Sequence, residues 1–201
     1  MKGILIAIVA GIFTGIFGKN TYFDAKAVHL IDFGLCTMLF CIGIDLAHQN
    51  GIMSVIRKME RKVLFIPLLV IAGSFLAGVI GSIITRTKLT DGILVTIGMG
   101  WYTYTGVYLS QFDLNLGSMG FMTNVMREIL AVILIPVAYK KFGQYSCVAV
   151  PGAPAMDASL PIILKCSGED TIMIAIYSGL VLTIVVPILM PILTGIFGYQ
   201  Q

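Results

Sequence analysis

Apolar stretches alternate with short polar ones along the whole chain. They cover residues 3–17, 28–48, 63–85, 91–112, 118–139, a stretch broken around 151–161, and 171–197. A helix rises 1.5 Å per residue and the hydrocarbon core of a bilayer is about 30 Å thick, so runs of this length predict membrane-spanning helices. The predicted fold is an all-α polytopic membrane protein with about seven hydrophobic segments. Some of them are discontinuous, in a transporter-like bundle, and residues 1–201 form one transmembrane domain.

Polar residues inside these runs carry the information. Residues 151–161 read Pro-Gly-Ala-Pro-Ala-Met-Asp-Ala-Ser-Leu-Pro. Pro151 and Pro154 remove backbone donors and fix φ, so no regular helix passes through. Freed backbone groups at membrane depth are tolerated only where protein buries them or a wet cavity receives them. Asp157 follows the break with Ser159 beside it, which allows two readings: a transporter binding site built on half-helices, or a capped loop between two spans. Segment 91–112 is also unusual, because Gly98, Gly100 and Gly106 flank Trp101, Tyr102 and hydroxyl residues in mid-segment. Aromatics there are expected to face a cavity or close a packed core. In segment 118–139, Arg127 and Glu128 lie on the order of 15 Å from either end. Charges at that depth should face the bundle interior, paired or solvated. Asn124, Arg127, Glu128 and Ala131 share one face, opposite Ile129, Val132 and Ile133. Pro136, Pro187 and Pro191 are expected to bend their helices. Asp32 and Asp45 lie near the ends of segment 28–48, and Gly11-x-x-x-Gly15 provides a small-residue packing face.

Composition agrees with a membrane chain: 58% hydrophobic residues, 11% charged, and a mean hydropathy of +0.97. The net charge of +3 has no nucleic-acid meaning, because the basic residues sit between apolar runs, where topology signals belong. With seven crossings, the Lys and Arg residues on the two sides tie. The dense basic loop holding Arg57, Lys58, Arg61 and Lys62 breaks the tie and puts the N-terminus in the cytoplasm. The first apolar run is read as a retained span because no A-x-A-like cleavage site follows it. Cys36, Cys41, Cys147 and Cys166 show neither metal spacing nor a disulfide framework, and no cofactor is expected. Enzyme signatures such as H-E-x-x-H and G-x-S-x-G are missing.

Gly100-Trp-Tyr-Thr-Tyr-Thr-Gly106, Arg127-Glu128 and Met156-Asp157-x-Ser-Leu-Pro161 resemble, in order and spacing, the signature stretches of the bacterial lysine exporter family of LysO type. Phe40-x-x-Gly43-x-x-Leu46 resembles the helix end before that family's basic loop. The resemblance covers the family's larger C-terminal portion. It implies that the missing N-terminal helices come from a separate small membrane protein, or that the chain forms a homo-oligomer. It also implies a secondary transporter in the bacterial cytoplasmic (inner) membrane that exports L-lysine, and related basic amino acids, by proton antiport. Carried over by position, Glu128 and Asp157 are the proton-coupling acids and hold the substrate ammonium. Trp101 and Tyr102 are expected to cover its stem or face the ammonium, with Asn124 and Ser159 completing the contacts. Half-helix amides after Pro154 are expected to hold the substrate carboxylate. Arg127 is expected to form a structural ion pair with Glu128 or a neighbouring helix; its alternative is the substrate carboxylate. Gly100, Gly106, Pro151 and Pro154 shape the backbone. Two other readings remain: a monovalent cation/proton antiporter, and a non-transporting membrane subunit.

Overall fold

The computed structural model describes residues 33–34, 36–37, 40–41, 44 and 61–199. The chain divides into two units, Met1–His48 and Gln49–Gln201. In the first, the described residues are helical and exposed. Segment 3–17 with its Gly11/Gly15 face, Asp32, Asp45 and the basic loop up to residue 60 lie outside the described residues.

The second unit carries the architecture. A short turn at Arg61–Leu64 leads into α1 (Ile66–Thr85). It is followed by α2 (Leu89–Thr96), α3 (Tyr102–Ser110), α4 (Leu114–Phe142), α5 (Gln144–Ala149), α6 (Leu160–Ser167) and α7 (Ile172–Ile196). Three helical stretches are long and apolar enough to cross a membrane: Lys62–Thr85, Leu114–Phe142 and Ile172–Ile196. At 1.5 Å per residue they reach roughly 36–44 Å. Exposed Leu68, Leu76, Ile80 and Ile84 on α1, and Ile129, Val132 and Ile133 on α4, give these helices lipid-compatible faces. α4 and α7 run unbroken through Pro136, Pro187 and Pro191.

The remaining helices are too short to cross. α2 and α3 have 8 and 9 residues, so each reaches roughly 12–14 Å, under half of the core. They form a re-entrant hairpin, and the contacts at its base establish this. Tyr199, just past α7, hydrogen-bonds Asp91 through its hydroxyl and packs its ring on Phe112, centroids 6.0 Å apart. Both ends of segment 91–112 therefore lie on one face, and this segment does not cross as expected. Burial, and then the bond to Asp91, push the Tyr199 hydroxyl above its usual range, so it remains a donor at neutral pH.

The chain then crosses in α4. Asp113 caps that helix, its Oδ1 accepting from the amides of Asn115 at 2.7 Å and Leu116 at 3.0 Å. Running antiparallel to α3, it brings Gly120 against Thr105 and Asn124 against Gly98. The expected break at residues 151–161 is present, and it is a second re-entrant hairpin. α5 enters, a 3₁₀ turn at Ala153–Met156 makes the tip, and α6 returns. Cys147 near its start lies 3.6 Å from Ser167 at its end, Sγ to Oγ. α7 then crosses back.

The order is span, hairpin, span, hairpin, span. α1 with the α2–α3 hairpin and α4 with the α5–α6 hairpin run in opposite senses, an inverted repeat. It also changes the charge ledger. Lys62, Lys140, Lys141 and Lys165 lie toward the face where α4 ends and α5 enters. Arg86 and Lys88 lie at the opposite face, where α2 enters.

Candidate functional site at the crossing of two hairpins

The tips of the two hairpins touch. Met99 carbonyl oxygen accepts from the amide of Ala153 at 2.9 Å. The approach leaves no room for side chains: a Cβ on Gly100 would stand 2.6 Å from Pro154 Cδ and 2.9 Å from Pro151 oxygen. One on Gly152 would stand 2.4 Å from Met99 oxygen. Gly100 and Gly152 have φ of +96° and +79°, and Met99 itself has φ of +50° while fully buried. A non-glycine residue in the left-handed region is uncommon and held by its surroundings. Gly106 permits a close approach of another kind, since a Cβ there would meet Phe121 at 2.9 Å where α3 packs on α4.

Asn124 anchors the first tip to α4. Its Oδ1 accepts from the Gly100 amide at 2.8 Å. Its Nδ2 donates to the carbonyls of Val95 at 2.9 Å and Gly120 at 2.8 Å. Both amide donors are spent within the protein, so Asn124 ties elements together.

Arg127 and Glu128 follow three and four residues later on α4, at the depth of the tips. The expected Arg127–Glu128 ion pair does not form. Sequence neighbours on a helix diverge by about 100° and do not face each other. Arg127 Nη1 donates instead to Ser74 Oγ on α1 at 2.8 Å, and Nη2 comes within 3.1 Å of where a Cβ on Gly152 would be. Glu128 is half-buried and feels the charge of Asp157, which is exposed on the second tip. Two of the expected site residues are thus brought into electrostatic range from different elements.

The half-helix amides expected to bind a carboxylate are already used. Ala155 donates to Gly152 oxygen, Asp157 and Ser159 both donate to Pro154 oxygen, and Ala158 donates to Asp157 Oδ1. Ser159 Oγ, by contrast, is buried and has no hydrogen-bond partner among the described residues. Trp101 opens α3 and its carbonyl accepts from Thr105 Oγ1 at 2.7 Å. Its ring begins an aromatic stripe through Tyr104, Tyr108 and Phe112 to Tyr199, successive centroids 5.1–6.0 Å apart. Tyr102 lies off that stripe, edge-on to Phe121. The signal for this stripe was present as aromatic residues at positions 101, 104, 108 and 112, one face of a helix.

Inverted spans with broken segments meeting beside acidic side chains are an architecture shared by membrane transporters. The family model described as "Lysine exporter LysO" matches residues 5–194. The chain belongs to that family, which is one of amino-acid exporters. It is 28% identical over 183 residues to the protein of Escherichia coli (strain K12) described as "Lysine exporter LysO". That match covers 90% of this chain and 60% of the relative. It is 30% identical over 191 residues to the "Putative lysine exporter" of Haemophilus influenzae (strain ATCC 51907 / DSM 11121 / KW20 / Rd), covering 94% of this chain and 96% of that protein. The chain therefore spans under two thirds of the first relative and nearly all of the second. No solved structure matches.

Proposed function

We propose that the protein exports L-lysine, and related basic amino acids, across the bacterial cytoplasmic membrane in exchange for protons. The observation that carries this reading is the meeting of two oppositely inserted hairpins beside Glu128 and Asp157. Membership of an amino-acid exporter family supports the substrate class. Glu128 and Asp157 hold the side-chain ammonium, and each takes up a proton when it leaves. Trp101 and Tyr102 cover the aliphatic stem, and the unpartnered Ser159 hydroxyl contacts the bound substrate.

Orientation follows from charge. The face with Lys62, Lys140, Lys141 and Lys165 is cytoplasmic, because short loops rich in Lys and Arg stay inside. The hairpin carrying Asp157 then opens to the cytoplasm and loads substrate. The hairpin carrying Trp101 opens outward and releases it. Moving one positive charge out against an inside-negative potential costs about 2.3 kcal/mol per 100 mV. One-for-one exchange with a proton is electroneutral, while two acids cycling together let the potential assist.

The chain works with a small membrane protein supplying the helices by which the longer relative exceeds it, or as a homo-oligomer. Lysine efflux from cells lacking their own exporter tests the reading. The chain is expressed alone and with an adjacent small membrane protein, and each arrangement is paired with Glu128→Gln and Asp157→Asn. Efflux that falls by about 10- to 100-fold in either variant, the range for a lost charge-assisted bond, supports it. Na⁺ or K⁺ collapsing a pH gradient while lysine has no effect would favour a cation/proton antiporter instead.

A further inference from the structure

Arg127 is the charged side chain, among the described residues, on the wall of a cavity of about 650 Å³ between α1 and α4. Leu69, Val70 and Gly73 line it from α1, Met126 and Leu130 from α4, and Val150 at the end of α5. A guanidinium has five N–H donors. Among the described residues Arg127 uses one of them, to Ser74 Oγ, and no carboxylate pairs with it. An uncompensated cation at this depth is expensive. A cavity that is apolar apart from a few hydroxyl and amide groups, with an under-used guanidinium on its wall, suits a small anion carrying an apolar body.

The competing places for such an anion are the amides of the two hairpin tips, and those named here are already used. At the second tip the amides of Ala155, Asp157, Ala158 and Ser159 have acceptors within the hairpin. At the first tip the amides of Met99, Gly100, Trp101 and Tyr102 go to Thr96, Asn124, Gly98 and Gly100. These amides are therefore not available to a carboxylate.

We propose that Arg127 is the carboxylate-binding residue of the transporter. The α-carboxylate of the transported amino acid docks on its free N–H groups from the cavity between α1 and α4, and its side-chain ammonium is held by Glu128 and Asp157. This rests on the exporter reading. It deepens that reading by making the substrate a zwitterion with a distal cation, rather than a simple polyamine. Arg127 and Glu128 are neighbours on α4 and present opposite charges at one depth. Nη2 also lies against Gly152, so an anion on the guanidinium adjoins the hairpin that must move.

The test compares lysine with 1,5-diaminopentane, which is lysine without its carboxylate. Inhibition of radiolabelled lysine exchange by each is measured in membrane vesicles, for wild type, Arg127→Met, Arg127→Lys and Ser74→Ala. Wild type should prefer lysine. Arg127→Met should raise the lysine concentration for half-inhibition by about 10- to 100-fold and leave that of the diamine unchanged or lower. Arg127→Lys, which keeps the charge and loses the planar fork, should fall between them. Ser74→Ala, which keeps the guanidinium, should retain the lysine preference. Equal loss for both ligands in Arg127→Met would make Arg127 structural and overturn the assignment. Lysine preference that survives Arg127→Met would overturn it too. A wild type indifferent to lysine would overturn the exporter reading, and this assignment with it.

Discussion

Gly152 has room for a hydrogen and nothing larger. A Cβ would stand 2.4 Å from a backbone oxygen of the other hairpin, at a φ of +79° that side chains resist. Gly152→Ala should therefore cost about 1–3 kcal/mol for the backbone conformation alone, and more for the contact with Met99. A fall in the thermal unfolding temperature of the solubilised protein, larger than that for Gly143→Ala, checks this. Gly143 has a similar φ of +82° and open space around it, so the difference isolates the hairpin contact. At this scale the sequence was informative wherever chemistry was out of place. Glu128, Asp157, Arg127 and the prolines stand out against an apolar background. Partners were less legible. Asn124 looked like a ligand because it shares a face with Arg127, yet the loop it pins lies 24 residues away. The Arg127–Glu128 pair suggested by adjacency fails because adjacent residues on a helix diverge.

The two hairpins explain why the elements were harder to read than the residues. Hydropathy reports depth and carries no direction. Segment 91–112 is apolar enough to cross, and it spends that length going in and coming back. Gly98-Met-Gly100 stands out in an apolar segment but does not read as a turn, since Met99 at positive φ has no sequence signature. The break at 151–161 was legible because two prolines forbid a helix there. Asp113 is the local signal for the start of α4: the apolar run begins at 118, while the cap sets the helix at Leu114. Single cysteines test the hairpins in a background without native ones. Leu89→Cys and Asn115→Cys, both at exposed positions, should react with a membrane-impermeant thiol reagent from the same face. Gln144→Cys and Glu169→Cys should react from the other. Labelling of Leu89→Cys and Asn115→Cys from opposite faces would restore a crossing segment and remove the first hairpin.

At the scale of the whole molecule, the inverted repeat brings two hairpins in from opposite faces, and their tips meet at Met99 and Ala153. The hairpins also change a count that a simple crossing pattern leaves tied, because among the described residues Lys140 and Lys141 lie toward the side of Lys62. The repeat was invisible in sequence, since the two halves share geometry without sharing residues: Gly-Met-Gly at one tip, Pro-Gly-Ala-Pro at the other. The central claim is that lysine moves through this crossing in exchange for protons held by Glu128 and Asp157. The most direct measurement is in liposomes containing the purified transporter, with any partner that remains bound, loaded with lysine and a pH-sensitive dye. An outward lysine gradient should drive protons inward in wild type. The proton signal should vanish in Asp157→Asn and Glu128→Gln while both variants remain folded. Lysine efflux without proton movement, or proton movement undiminished in both variants, would contradict the account.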